Sequence, residues 1–226
     1  MIENTLQPFY DLLDKYSKEY GDNSNACLIV RLSLLTYLLK HHIALCNINS
    51  LANRIVEQYN FERPEPREVK FEIVLDNNRE SYHIQEERNE IIDLDFEFDD
   101  ELITLNKNNI SKLKDSKWYL FCFTPEEELI IFDYSWSTTE LISERNKPLV
   151  KNHSLIHPML VSHNNYNVVS AGEICVVHEK NVLKGIVINN KSGHFRPNST
   201  SLDYVKEFLI RELNIDSKLI IKLNLY

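Results

Sequence analysis

Apolar residues follow two different periods in the two parts of this chain. Over residues 4–20, Leu6, Phe9, Leu13, Tyr16 and Tyr20 recur at steps of three and four, which predicts an amphipathic helix ended by Gly21-Asp22-Asn23. Ser24 or Asn25 offers an N-cap for a second helix from Ala26 to about Ile43. That segment is apolar nearly all round and is expected at the centre of the fold. A third helix is predicted from Ser50 to about Tyr59, with Leu51, Ile55 and Tyr59 on one face, before Pro64 and Pro66 interrupt the pattern.

Beyond the prolines the period shortens to two. Lys70–Leu75 and Arg79–Ile84 flank Asp76-Asn77-Asn78 and read as a hairpin. Ile92, Leu94, Phe96 and Phe98 alternate with Asp93, Asp95, Glu97 and Asp99, the pattern of a strand with one wet, acidic face. Ile110–Leu113 closes a short helix. Trp118–Phe123 and Glu128–Tyr134 are strands around the turn Thr124-Pro125-Glu126-Glu127, and residues 136–152 read as loop with short structure. Val168–Val177 and Val182–Ile188 form a further hairpin. A helix from Ser201 to Leu213 and a strand from Leu219 to Leu225 complete the chain. The fold class is α+β: a helical N-terminal part, residues 1–63, followed by a mostly antiparallel β-sheet, residues 64–226, closed by a C-terminal helix and strand, as two units or one domain.

Composition narrows the function classes. Of 226 residues 43% are hydrophobic, enough for a substantial core, and the net charge is −9. An acidic chain without a basic stripe is not expected to bind nucleic acid. The longest apolar run, Ala26–Leu39, is broken by Arg31, Ser33 and Thr36 and is too short and polar for a membrane span. The first residues carry no basic and then apolar signal pattern, so a cytoplasmic location is expected, with leaderless export compatible. Cys27, Cys46, Cys122 and Cys175 include no Cys-x-x-Cys pair; buried thiols are expected rather than a zinc site, and no metal site is assigned.

The segment Asn189–Pro197 carries the candidate chemistry, because a strand leads into it and a helix leads out. Lys117-Trp118-Tyr119, Ile156-His157-Pro158-Met159-Leu160, Ser170-Ala171-Gly172-Glu173-Ile174 and Ser192-Gly193-His194-Phe195-Arg196-Pro197 form an ordered set. Over about residues 115–226 that set resembles the C-terminal region of the plant IQM proteins, the IQ-motif-containing calmodulin-binding family, and of similar bacterial proteins of effector- or toxin-like architecture. Pro158 and Met159 stand where the family pattern has serines. No IQ motif is present, and the one Ile-Gln pair, Ile84-Gln85, sits among acidic residues, so calmodulin binding is not carried over.

Each candidate has a chemical and a structural reading. His194 is a general acid/base or an anion ligand, or a turn histidine bonded to a neighbouring strand. Gly193 permits close backbone approach. Arg196 suits a phosphate or carboxylate, or pairs with Glu173 or Asp203. Ser192 and Ser199 offer hydroxyls, while Ser199 or Ser201 caps the following helix. Glu173 is a cleft carboxylate for acid/base work or for stabilising a cationic transition state, or an exposed strand residue. His157 is a third cleft residue or a buried structural histidine. Arg31, a charge on an apolar helix, needs a partner, either a ligand or an acidic strand residue. Cys27 pairs with His194 as a nucleophile or is a core thiol.

Three functions fit these residues. The first is an effector- or toxin-like enzyme whose cleft binds a small anionic, nucleotide-like or phosphorylated ligand, NAD or another nucleotide among them. It would act as a group transferase of ADP-ribosyl-transferase-like type, or as a hydrolase, on a small molecule or a protein target. The second is a non-catalytic protein-interaction module, and the third a Cys/His hydrolase.

Overall fold

The computed structural model describes residues 2–43, 45–61, 71–76, 79–84, 101–143, 150, 154–162 and 166–225. The predicted strand Ile92–Phe98 lies outside them. Three helices open the chain: α1 (Ile2–Tyr20), α2 (Asn25–Lys40) and α3 (Leu45–Phe61). Ser24 caps α2, its hydroxyl accepting from Cys27 N. As its sequence requires, α2 is buried around most of its circumference. It packs against α1, α3, a short helix α4 (Thr138–Ile142) and two strands, β7 (Ser170–Glu179) and β8 (Val182–Asn189). The start of α3 lies five residues before the predicted Ser50, because Ile48, at 2% exposure, extends the buried stripe of Ala52 and Ile55 by one turn.

The first hairpin is present: β1 (Phe71–Asp76) and β2 (Arg79–Ile84) pair with Asp76 opposite Arg79, and β6 (Asn167–Val168) joins β2 to make a three-stranded sheet. The larger sheet has six strands. It adds β3 (Leu102–Thr104), β4 (Lys117–Phe123), β5 (Leu129–Phe132) and β9 (Ile220–Leu223), in the order β3-β5-β4-β7-β8-β9. All neighbours are antiparallel except β8 and β9, which run parallel. A parallel pair needs a crossover, and α5 (Ser201–Leu213) supplies it.

Both faces of this sheet are covered, which is why β4 reads as a nearly unbroken apolar run. Trp118, Leu120 and Cys122 point into a core shared with α2 and α3. Tyr119, Phe121 and Phe123 point into a second core under α5, where Leu202, Val205, Phe208 and Leu209 recur at helical spacing. The residue 136–152 stretch contains α4, held by a reciprocal cap between Ser137 and Glu140. Among the described residues no helix is long and apolar enough to cross a membrane.

Since α2 and the sheet share one core, the helices and the sheet should unfold together. Trp118 and Trp136 lie in that core, and helix content reports on α1–α3. Urea unfolding followed by tryptophan fluorescence and by circular dichroism should give coincident curves. Leu35→Ala, which empties a fully buried position on α2, should shift both equally and cost about 3 kcal/mol.

Candidate functional site

Alternation along β7 turns Ala171, Glu173, Cys175 and Val177 toward the helical layer, and the three apolar members of that row lie in its core. Glu173 thus occupies a core row, and it is 2% exposed. The expected exposed strand carboxylate is not found. On the neighbouring strand Asn189, 1% exposed, faces it. Asn189 Nδ2 donates to Glu173 Oε2 at 2.6 Å, while Asn189 Oδ1 accepts from Glu173 N at 3.0 Å and from Lys191 N at 2.9 Å. One carboxamide therefore fixes the carboxylate, the strand carrying it and the second residue of the following loop.

Among the described residues Glu173 has no ion-pair partner and its Oε1 has no hydrogen-bond donor. Oε1 is nonetheless not one of the sealed, unsatisfied polar atoms, which are Trp136 Nε1, Asn167 Oδ1 and Asn224 Oδ1. A buried carboxylate held by one oxygen, with the other left for a donor, is the arrangement a ligand can complete.

His157 sits on a single 3-10 turn, His157–Leu160, laid across β4 and β5. Its Nε2 lies 2.9 Å from the carbonyl oxygen of Gly172, the residue preceding Glu173, and its own carbonyl accepts the Cys122 thiol at 3.4 Å. His157 is 7% exposed. The structure thus brings His157 and Glu173 to the same end of β7.

The loop after β8 is tied across its mouth. Asn190 Nδ2 donates to Pro197 O at 2.9 Å, and Asn190 Oδ1 accepts from Leu225 N at 2.7 Å, beyond β9. Ser192 is fully buried; its hydroxyl accepts from Phe195 N at 3.3 Å and its carbonyl from Arg196 N at 3.1 Å. Phe195 enters the helical core, and Lys191 stands over the Tyr59 ring of α3. Between these anchors Gly193 is exposed and His194 half-buried, so the loop presents its tip on a fixed base. Arg196 is half-buried and holds a left-handed backbone, φ +46°. Asp203, one of its expected partners, pairs with Lys222 instead.

The two motif glycines differ. A Cβ on Gly172 would stand 1.9 Å from the carbonyl oxygen of Asn189, so that position admits no side chain. A Cβ on Gly193 would meet nothing within 4 Å, and Gly193 is not in the left-handed region.

At the start of α5 the cap comes from Asn198 rather than Ser199 or Ser201: Asn198 Oδ1 accepts from Ser201 N at 3.0 Å and from Thr200 Oγ1 at 2.6 Å. Ser201 Oγ is bonded instead to Ser170 Oγ at 3.0 Å, and Ser199 is half-buried between Asn198 and Thr200. Asn198 also docks the small sheet. Its N–H donates to Tyr82 Oη at 2.9 Å and its Nδ2 to Glu80 Oε2 at 2.6 Å. Burial pushes the Tyr82 phenol up to about 12, with Glu80 adding to the rise and the Asn198 N–H opposing it; Tyr82 donates its proton to Glu80. With the Asn198 Oδ1 acceptor so placed, and the Asp203 carboxylate in the first turn, the α5 N-terminus is less open to an anion than the sequence suggests.

Arg31 is 6% exposed and its guanidinium meets the Asp22 carboxylate, the Asp22 carbonyl at 2.6 Å and the Gln58 side chain. Gln58 Nε2 donates to Ser24 O at 2.8 Å, and Arg54 also meets Asp22. These contacts fasten the α1–α2 turn to α3 and account for the charge without a ligand. Cys27 is fully buried, its thiol 3.6 Å from Gly21 O, which is the core-thiol arrangement. Burial raises the Cys122 and Cys175 thiols well above their ordinary value.

No family model, curated protein or solved structure matches this chain. The roles of Asn189, Asn190, Asn198 and Tyr82 escaped the sequence reading. The one available signal was the Asn189-Asn190 pair at a strand end, residues whose short amides bond backbone groups.

The two glycines should respond oppositely to alanine. Gly172→Ala should cost about 3 kcal/mol or more in urea unfolding, whereas Gly193→Ala should stay within about 0.5 kcal/mol. A second expectation concerns acid. The Arg54 guanidinium, with Arg31 beside it, holds the Asp22 carboxyl below its ordinary value of 3.8, against the opposing effect of partial burial. The unfolded chain therefore takes up this proton at a higher pH than the folded one. The stabilisation is complete above the ordinary value and is lost as pH falls through the folded value. Asp22→Asn should be less stable than the native chain at neutral pH, and the gap should close between roughly pH 4 and pH 2.

Proposed function

We propose that this protein is an effector- or toxin-like enzyme, a group transferase or hydrolase, with Glu173 as its working carboxylate and a nucleotide-like ligand as its substrate. The observation that carries this reading is the buried Glu173 side chain, positioned by Asn189 through Oε2 and without a donor on Oε1 among the described residues. His157, bonded to the adjacent carbonyl, is the candidate acid or base at the same end of β7. Gly193, exposed and unobstructed, leaves the loop tip open to a ligand, with His194 and Arg196 beside it. A carboxylate so placed suits stabilisation of positive charge developing on a sugar as its bond to a leaving base breaks. That chemistry is compatible with NAD as the ligand and with the resemblance to bacterial effector-like and IQM proteins. The site of action would be a cytoplasm, reached where needed by leaderless export.

A second reading has its own support. Asn189, Asn190, Ser192 and Phe195 all serve backbone hydrogen bonds or the core. This favours a structural clasp in a protein-interaction module. Melting of the full chain with NAD, ATP or inorganic phosphate separates the two. On the enzyme reading NAD raises Tm, and Glu173→Gln abolishes the rise while leaving the unliganded Tm within about 2 °C, since glutamine keeps an acceptor for Asn189. NAD should also yield free nicotinamide with the native chain and not with Glu173→Gln. An absent ligand shift, with Gly193→Ala silent in every assay, leaves the module reading.

A further inference from the structure

A cavity of about 400 Å³ opens along β9 on the side away from β8, between α3 and α5. Asn49, Ala52 and Asn53, one face of α3, form one wall. Lys206 of α5 and Ile220, Ile221, Lys222 and Asn224 of the terminal strand region form the rest. Two lysines and three carboxamides thus converge on a space of ligand size. Lysines on an edge strand also discourage strand pairing with other chains, and that alone would account for Lys222. It does not account for Asn224. Its Oδ1 is sealed from solvent and has no hydrogen-bond partner among the described residues, a costly state for an amide oxygen. Nor does it account for Lys206, which reaches over the strand with the Ile220 carbonyl, at 3.5 Å, as its only hydrogen-bond partner among the described residues.

From this arrangement we propose that the β9 cavity binds a sugar phosphate, its phosphate between Lys206 and Lys222 and one of its hydroxyls donating to Asn224 Oδ1, which the half-buried Asn224 side chain bares to the cavity by turning as the ligand enters. Both halves of the ligand follow from the cavity wall. The adjacent ammonium groups need a multiply charged anion, and the unmet acceptor needs a donor that inorganic phosphate at neutral pH supplies poorly. Burial, and then the neighbouring Lys222 charge, lower the Lys206 ammonium below its ordinary value, while Asp203 opposes that fall; a bound dianion would relieve the strain of the two like charges. Asp203 competes for the site, because its exposed carboxylate already holds Lys222. The site is independent of Glu173.

Titration of the full chain with ribose 5-phosphate, inorganic phosphate and ribose, followed by calorimetry and by the NMR signal of the Asn224 side-chain amide, tests this. Ribose 5-phosphate should move the Asn224 amide and bind about tenfold or more tightly than inorganic phosphate, and ribose should not bind. Lys206→Gln should weaken binding about tenfold, Asp203→Asn should strengthen it by releasing Lys222, and Glu173→Gln should leave it unchanged. Because Lys222→Gln removes both the ion pair with Asp203 and a ligand contact, Asp203→Asn, which removes the ion pair and keeps the lysine, is the sharper probe. The proposal is overturned if ribose 5-phosphate leaves the Asn224 amide unmoved at about 10 mM, if inorganic phosphate binds equally well, or if Lys206→Gln binds as the native chain does. Lys222 would then guard a sheet edge only.

Discussion

The passage of the Asn189 backbone over Gly172 is the contact on which the polar end of this sheet depends. With 1.9 Å between the Asn189 carbonyl oxygen and a notional Cβ, only glycine permits the approach. The approach lets a single carboxamide reach Glu173 on one strand and Lys191 in the loop. The Gly172 carbonyl is at the same time held by His157. Displacing this crossing would separate the carboxylate from its only side-chain partner among the described residues, and would release the entry to the loop. Close backbone packing and site geometry are here one constraint.

Around that crossing the fold is rigid for identifiable reasons. The central helix α2 buries side chains toward α1, α3, α4 and the sheet, and Phe195 inserts into the same core from the loop. Moving the loop base would therefore expose an aromatic ring and break the Asn190 ties to Pro197 and Leu225. Gly193 stands exposed at the tip between these anchors. A firm base with an accessible tip suits recognition, since little ordering is needed when a ligand arrives. Arg31 illustrates the opposite case. A charge inside an apolar helix looks like a functional residue until Asp22, Gln58 and Arg54 are seen to gather around it.

What could be read from residues alone follows the range of the forces involved. The helix Ser201–Leu213 and the hairpins on either side of β4 were legible because periodicity and turn chemistry are local. The start of α3 was misplaced because Ser50 resembles a cap, while the buried position that extends the helix, Ile48, is recognised only against its neighbours. The parallel pairing of β9 with β8 was not legible, because an apolar strand carries no mark of its partner. The strict need for glycine at position 172 was hidden for the same reason. Gly193 sits in a conspicuous motif, whereas the steric need at Gly172 arises from a residue seventeen positions later in the chain. At the candidate site, Glu173, His157 and the loop were named from the sequence, and the asparagines that organise them were not.

The weight of Glu173 rests on a comparison of costs. Burying a carboxylate side chain costs free energy unless its oxygens find donors, and a hydrogen bond to a charged group returns about 1.5–3 kcal/mol. Asn189 can satisfy one oxygen of the carboxylate and leaves the other without a donor among the described residues. The neighbours of Glu173 along the same row, Ala171 and Cys175, show that the core accepts small apolar side chains there. An apolar residue in this row would avoid the unmet oxygen, and a glutamine would keep the Asn189 bond. Neither alternative would present a carboxylate oxygen at the end of β7, one residue along from the carbonyl that His157 holds. The structural clasp explains Asn190, Ser192 and Phe195 in full, but it has no use for that second oxygen, and this is where the clasp and the site can be told apart.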